Sequence, residues 1–285
     1  MPNPRVDRAA LLQTDHAHMI HPLHHPSAHV APRIWARGKG AVMWDVDGRE
    51  FIDGLGGLWN VNVGHGREEL AQAAAEQMRT LAYCSSYACS SNPAAIQLAA
   101  RLAELSYPNL NTVYFASGGA ESNESAFKTV RFYWRVKGKP EKTKIISRYY
   151  AYHGVTLATM SATGIPSYWT MFEPRVPGFV HIDPPYQFFF DQAKEGETIG
   201  QAAARLLEEA ILREGPDTVG AFIAEPVQGA GGVIAPPDDY FPRVREICDK
   251  YEVLLIADEV ITGFGRTGEL FALTHWGGQP DIRAF

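Results

Sequence analysis

Apolar residues recur at two different spacings along this chain of 285 residues. From about Arg67 onward, long stretches repeat their apolar positions every three to four residues, which predicts helices, and short continuous apolar runs between them predict buried strands. Together they predict an α/β fold with a mostly parallel sheet and helices on both faces. The predicted helices are residues 68–81, 93–105, 121–137, 198–213 and 240–251, and the predicted strands are TVYFAS, TKIISR, GFVHID, VGAFIAEPV and VLLIAD.

The first 60 residues have a different pattern, rich in His and Pro. The segment AVMWDVDGREFIDG contains two short alternating runs joined at Asp47-Gly48, a dipeptide typical of hairpin turns. We therefore predict an N-terminal arm with a small hairpin over residues 1–60 and a large domain over residues 61–285. Because HWGGQPDIRAF supplies no helix to cover the last predicted strand, we expect the protein to continue beyond Phe285, with a C-terminal small domain.

Composition narrows the classes of function. The formal net charge of -6 argues against a general affinity for nucleic acid or for an anionic membrane surface, since both favour basic proteins. The three cysteines, Cys84, Cys89 and Cys248, lack C-x-x-C spacing, which is typical of a reducing compartment. With no apolar run long enough to span a membrane, we expect a cytoplasmic protein.

The most informative polar residues come where predicted strands end. The run VLLIADEV has Asp258 and Glu259 directly after five apolar residues, and VGAFIAEPV places Glu225 in the same way. A buried ionised carboxylate without a partner costs several kcal/mol, and parallel sheets bind ligands beyond the carboxyl ends of their strands. We therefore expect a cation or a set of hydrogen-bond donors at this edge of the sheet.

Two further strand ends suit a phosphorylated, planar ligand. Gly118 and Gly119 separate a predicted strand from a helix, where free amide groups and the helix dipole attract an anion; a tight turn with Glu121 as a cap is the alternative. Tyr152 and His153 follow another strand, where an aromatic ring can stack on a ligand, unless both residues only pack under a loop. The four strand ends together favour one polar pocket with a phosphate site.

Three other patterns have simpler explanations. The sequence GFGRTG, residues 263–268, matches a dinucleotide motif, but four residues separate it from the strand before it, and the segment that follows, ELFALTHWGG, is a poor, short helix. The basic, aromatic run FKTVRFYWRVKGKPEKTK has helical spacing and fits a solvated helix face better than an RNA-binding surface. The histidines lack Cys or carboxylate neighbours, so we predict no metal site and favour an ordered arm; they are His16, His18, His21, His24, His25 and His29.

Four motifs in this order resemble those of the class III pyridoxal-phosphate-dependent aminotransferases: Gly118-Gly119, Tyr152-His153-Gly154, EPVQG from Glu225 and DEV from Asp258. The segment GLGGLWNVNVGHG, residues 54–66, looks like the subgroup of ω-amine:pyruvate transaminases. The resemblance implies fold type I and the cofactor pyridoxal 5'-phosphate. It also implies transfer of an amino group from a primary amine or ω-amino acid to pyruvate or a similar 2-oxo acid, in a homodimer or a tetramer.

The resemblance also implies roles for individual residues. Asp258 would pair with the protonated ring nitrogen of the cofactor, Tyr152 would stack on the ring, and Glu225 would help to hold this arrangement; these three are the candidate catalytic residues. Many relatives have Ser-Gly-Ser where this chain has Gly118-Gly119-Ala120, so one phosphate hydrogen bond of about 1 kcal/mol is expected to be absent. The implied cofactor-binding residues are Gly118, Gly119, Ala120, Tyr152, His153, Glu225, Asp258 and Val260.

The implied substrate-binding residues are Leu58, Trp59, Tyr87, Tyr152 and Ala230. No lysine follows Lys250, and the family's lysine, which binds the cofactor aldehyde, is expected just beyond Phe285, so residues 1–285 alone are predicted to be inactive. An aminomutase, a decarboxylase or a diamine or amino-acid aminotransferase is an alternative within the family. A catalytically silent binding protein with the same fold is an alternative of another class.

Overall fold

The computed structural model describes residues 7–22, 31–87 and 89–285. The chain separates into two compact units, residues 1–85 and 86–285, and each is described by itself. The domain division that we placed after residue 60 stays a prediction. Among the described residues, no helix is long and apolar enough to cross a membrane.

The N-terminal unit contains a small antiparallel sheet with the order β1-β2-β3. The predicted hairpin at Asp47-Gly48 is confirmed: the Asp45 carboxylate accepts from the amides of Asp47 and Arg49, both at 3.0 Å, and Gly48 has a φ of 81°. Strand β1 and helix α1 were not predicted. The elements are α1 (Arg8–His18), β1 (Trp35–Lys39), β2 (Val42–Asp45), β3 (Glu50–Ile52), α2 (Gly56–Trp59) and α3 (Glu68–Leu81).

The C-terminal unit contains a five-stranded parallel sheet with the order β5-β4-β6-β7-β8. Side chains of α7 and α8 pack with one apolar cluster and those of α5 with another, so the predicted helices on both faces are confirmed. Every residue of β6 is buried. The elements are α4 (Pro93–Leu105), α5 (Gly119–Val136), β4 (Lys144–Arg148), α6 (Leu157–Ala162), β5 (Phe179–Ile182), α7 (Ile199–Glu214), β6 (Val219–Ala224), α8 (Tyr240–Lys250), β7 (Leu254–Asp258) and β8 (Ile282–Ala284).

Two strand predictions were wrong. The segment TVYFAS forms no strand, because no described residue pairs with its backbone, and Tyr114 within it is 76% exposed. Conversely, the three-residue strand β8 was not predicted, although it pairs in parallel with β7 through Asp258↔Ala284. A strand is defined by its partner, so an apolar run without one does not become a strand and a short run beside one does.

Candidate active site

The polar strand ends meet at one edge of the sheet. Strands β6 and β7 are neighbours in parallel register, with Ala224 opposite Ala257, so the residues that follow, Glu225 and Asp258, lie at the same edge. Both carboxylates are almost fully buried. The pocket predicted from the strand ends therefore has its two acids side by side, at the place where open parallel sheets bind ligands.

Asp258 is held by two side chains from other elements. Its Oδ2 atom accepts from Asn123 Nδ2 at 2.7 Å and lies 2.8 Å from His153 Nδ1, while Oδ1 accepts from the amide of Val260 at 3.2 Å. Because an ionised carboxylate can only accept, the proton of a neutral His153 lies on Nδ1. The opposite atom, His153 Nε2, is buried and has no hydrogen-bond partner among the residues that the structure describes.

Asn123 is the site residue that the sequence analysis missed. It lies one turn into α5, is 1% exposed, and its Nδ2 also donates to the backbone oxygen of His153 at 2.9 Å. A signal was present, because Asn123 falls on the buried face of α5 at helical spacing from Ala126, Phe127 and Val130. A polar residue on an apolar helix face needs a partner, and that partner is Asp258.

Glu225 joins two loops by their backbones. Its Oε1 atom accepts from the amide of Tyr152 and its Oε2 atom from the amide of Gly229, both at 3.0 Å. Burial raises the pKa of Glu225 to about 7; the charge of Asp258 adds to the rise, whereas His153 and the two amides oppose it. Glu225 therefore changes its protonation near neutral pH while it fixes the loop that carries Tyr152.

The N-terminus of α5 carries the glycine pair that was predicted as an anion site. Gly118 precedes the helix and provides no side-chain cap, and a Cβ atom on Gly119 would lie 2.8 Å from Val260 Cγ2. Ala120 packs closely against Gly154. A Cβ atom added to Gly154 would lie only 2.6 Å from the Cβ atom of Ala120. The alternative role of Glu121 is also present, since its carboxylate accepts from the Ser117 amide at 2.7 Å. Glu121 thus caps the preceding turn, and α5 still begins with the predicted glycine pair.

The predicted substrate-binding residues are more exposed than the two buried acids or belong to the other unit. Tyr152 is half-buried, with its ring edge-on to Tyr168 at 6.5 Å, and burial, followed by Tyr168 and Asp258, raises its pKa. Ala230 lies on an exposed turn, and Tyr87 is 86% exposed. Leu58 and Trp59 belong to the N-terminal unit. The substrate-binding roles of these residues stay predictions.

The turn that carries Leu58 and Trp59 has an unusual backbone. Four consecutive residues, Gly56 to Trp59, have positive φ angles, of 56°, 63°, 66° and 65°. Leu58 and Trp59 carry a Cβ atom, and the left-handed conformation costs such residues roughly 1–2 kcal/mol each. Strain of this kind, held in place by surrounding structure, is typical of functional segments.

The alternatives of dinucleotide and metal binding gain no support. After β7, residues 263–268 form turns, and no α-helix begins there. Among the described residues, no three or more His, Cys, Asp or Glu side chains are grouped to hold a metal ion. Of the N-terminal histidines, His24, His25 and His29 lie outside the described residues.

The residues of this cluster fit pyridoxal phosphate. Asp258 offers a carboxylate whose Oδ1 atom has a single, long contact from the Val260 amide, so it can accept from a protonated ring nitrogen. Gly119 and Ala120 offer amides at the positive end of a helix of 18 residues, suited to a phosphate group. Tyr152 and Val260 offer an aromatic and an aliphatic surface for a flat ring, and Val260 is 43% exposed.

Comparison with known proteins agrees with this chemistry. The family described as aminotransferase class-III matches residues 24–285. The chain is 44% identical over 250 residues to a putrescine–pyruvate aminotransferase of Pseudomonas aeruginosa, covering 88% of this chain and 55% of that protein.

Solved structures show the same similarity. An (S)-enantioselective omega-transaminase of Thermomicrobium roseum is 50% identical with a TM-score of 0.93, over 98% of this chain and 62% of that one. An omega-transaminase of Pseudomonas jessenii, solved in complex with PMP, is 38% identical with a TM-score of 0.90, over 96% of this chain and 61% of that one. The chain spans just over half the length of the curated relatives it matches.

Proposed function

Because the chain belongs to the class-III aminotransferase family, we propose that the complete protein transfers an amino group from a primary amine or ω-amino acid to pyruvate or a similar 2-oxo acid. One observation carries the proposal: the Asp258 carboxylate, fixed by Asn123 and His153, lies at the strand edge with one oxygen available to a cationic ring nitrogen. Pyruvate as the acceptor is supported by the names of relatives that use putrescine or taurine with pyruvate.

Each residue of the cluster has a task in this proposal. When bound, pyridoxal phosphate supplies an electron sink for the electron pair left on the substrate carbon after a proton is removed. Asp258 would keep the ring nitrogen of the bound cofactor protonated, because a buried carboxylate stabilises an adjacent positive charge. His153 and Asn123 keep the Asp258 carboxylate in place through its Oδ2 atom.

Gly119 and Ala120 would hold the phosphate group through their amides, and there is open space at Gly118, where an added Cβ would meet no atom within 4 Å. Tyr152 and Val260 would hold the flat ring between an aromatic and an aliphatic side chain. Glu225 holds the loop of Tyr152 through the amide of that residue.

For the substrate, we propose that Leu58 and Trp59 provide one wall for the bound amine. Tyr152 is a further proposed substrate-binding residue, and Tyr87 and Ala230 are the weaker candidates. An aromatic and aliphatic wall suits the carbon chain of an amine, and two relatives are named for the amines putrescine and taurine. The homodimer and the cofactor-binding lysine that the resemblance implies stay predictions.

The test uses the complete purified protein, loaded with pyridoxal phosphate. A primary amine and pyruvate are supplied together, and alanine and the carbonyl product are measured; we expect equal amounts of both, and none without the amine. Cofactor binding without alanine would favour the catalytically silent protein, and rearrangement of an amino acid without pyruvate would favour an aminomutase. A borohydride-reduced sample that gains the mass of one cofactor shows whether a lysine binds the aldehyde covalently.

A further inference from the structure

The N-terminal unit closes the loop DGLGGLWNVNVGHG, residues 53–66, at its base. His65 Nε2 lies 2.8 Å from Asp53 Oδ2, and the backbones of His65 and Gly40 exchange two hydrogen bonds of 2.9 Å. The Asp53 side chain is 8% exposed. Because an ionised Asp53 can only accept, the proton of a neutral His65 lies on Nε2 and points at the carboxylate.

Glycine residues leave the space that the His65 ring and its loop occupy. A Cβ atom on Gly38 of β1 would lie 2.7 Å from His65 Cγ, so only glycine lets the ring lie there. A Cβ atom on Gly64, which has a φ of 84°, would lie 3.2 Å from Gly40 Cα. The His65 ring therefore packs directly against the backbone of β1, which requires glycine at that position.

The same carboxylate also reaches the left-handed turn. Asp53 Oδ2 accepts from the Gly57 amide at 2.9 Å, so one oxygen atom joins His65 at the base of the loop to the turn at its tip. Leu58, in the middle of the turn, is 62% exposed. Burial within this unit therefore does not compensate for the unfavourable backbone of Leu58, and a function for the exposed side chain explains it better.

We propose that Asp53 and His65 are positioning residues, which hold the left-handed turn Gly56–Trp59 so that Leu58 and Trp59 meet the amine substrate in one orientation. The inference rests on the proposed function, because that function assigns Leu58 and Trp59 to the substrate wall. Neither Asp53 nor His65 touches the reacting atoms. Their effect is on selection among amines.

The first measurement is hydrogen exchange of the complete, cofactor-loaded protein, followed by mass spectrometry. In Asp53→Ala, amides of residues 56–61 are expected to exchange at least about tenfold faster than in the wild type. The matched control is Asp47→Ala in the same unit, a carboxylate that pairs with Arg8 and Arg49 and is expected to leave this loop unchanged. Asp53→Asn, which keeps the shape of the side chain, carries the test if the alanine variant does not fold.

The second measurement separates binding from chemistry. Asp53→Ala is expected to raise KM for a bulky aryl amine by about fivefold or more, with kcat changed by less than about twofold. In a Trp59→Ala background the same substitution is expected to raise KM by clearly less, because one of the two side chains that it positions is gone.

Three outcomes decide the inference. Faster exchange together with a higher KM that depends on Trp59 supports it. Unchanged exchange of residues 56–61 overturns the positioning role, whatever the kinetics. Faster exchange with unchanged KM overturns the link to the substrate, and transamination itself is judged separately by alanine formation in the wild-type protein.

Discussion

Asp258 and Glu259 are neighbours at the end of β7, and both are buried, yet their partners differ in kind. Asp258 is contacted by side chains of two other segments, Asn123 and His153, and keeps an oxygen with spare capacity to accept. Glu259 Oε2 accepts from the Thr262 hydroxyl and the Ala272 amide, both at 2.8 Å, and Oε1 from the Leu273 amide at 3.1 Å.

The difference shows why a core strand ends in two acids. Successive residues at a strand end point to opposite sides, so one carboxylate faces the pocket and the next faces the segment that follows. Glu259 caps the short 3₁₀ helix Ala272–Trp276, which places Leu273 in the apolar cluster. Glu259 has its acceptor oxygens taken up by the segment that follows, whereas Asp258 keeps spare capacity to accept.

Replacing Asp258 is expected to have the largest effect. Asp258→Asn keeps the shape but removes the charge opposite the ring nitrogen, so kcat/KM should fall by the equivalent of about 3–5 kcal/mol, which is roughly a hundred- to a thousandfold or more. The measurement is alanine formation in the complete protein. Asp238→Asn, an exposed acid of the same unit, is the control. Activity within a few-fold of the wild type would contradict the role of Asp258.

The next largest effect is expected at Glu225, where a substitution should change how the free energy of unfolding depends on pH. In the folded protein the pKa of Glu225 is raised from 4.5 to about 7, so the folded state binds the proton more tightly than the unfolded state does. Proton binding therefore stabilises the fold. This stabilisation is complete below about pH 4.5 and is lost as the pH rises through 7. At about 1.4 kcal/mol per pH unit, the loss reaches roughly 3 kcal/mol. Glu225→Gln should remove it.

Urea unfolding at pH 5 and pH 7.5 measures this contribution as the difference between wild type and Glu225→Gln. The difference is needed because His181 acts in the opposite direction: burial lowers its pKa to about 4, so its contribution is lost as pH falls below about 6.5. Parallel pH profiles of the two proteins would show that Glu225 has an ordinary pKa and that its burial is compensated by the amides of Tyr152 and Gly229.

Glu259 should affect stability and not chemistry. Glu259→Gln replaces an acceptor oxygen by an amide that cannot accept from the backbone, and loss of a hydrogen bond to a charged group costs about 2 kcal/mol. The midpoint of urea unfolding should fall, while kcat of the folded fraction stays close to that of the wild type. Glu269→Gln, on an exposed turn nearby, makes the same change of charge and is the control. A loss of kcat without a loss of stability would mean that Asp258 and Glu259 do not have separate tasks.

The same pair shows how far the sequence could predict the molecule. The apolar run before Asp258 and Glu259 was enough to predict a buried strand with a site at its end, because the cost of burying two acids is a local property of the sequence. Which of the two acids faces the pocket depends on the partners of each, and those come from α5, from the loop after β4 and from residues 272–273.

Two misses have the same origin. The segment TVYFAS has the composition of a strand, but whether it forms one depends on a partner that periodicity cannot reveal. The left-handed turn at Leu58 and Trp59 was equally hidden, because residues with a Cβ atom adopt that conformation only under tertiary constraint, and the Asp53 carboxylate that contacts this turn through Gly57 is not evident from periodicity. Asn123, by contrast, could be predicted from the sequence, since its helical spacing places it among apolar residues.

Replacing Asn123 is expected to have the smallest effect of the four substitutions. It tests Asp258 separately from Glu259, because Asn123 donates a hydrogen bond to Asp258. Asn123→Ala removes one hydrogen bond to a charged group, worth about 1.5 kcal/mol, so the Kd for pyridoxal phosphate should rise about tenfold. Ser122→Ala, one residue earlier on α5, is the control. If Asn123 acts only in packing, the unfolding midpoint of the cofactor-free protein will fall and Kd will stay the same. If it positions Asp258, Kd will rise and the pH at which the absorbance of the bound cofactor changes will shift, because the ring nitrogen then faces a carboxylate that is less firmly held.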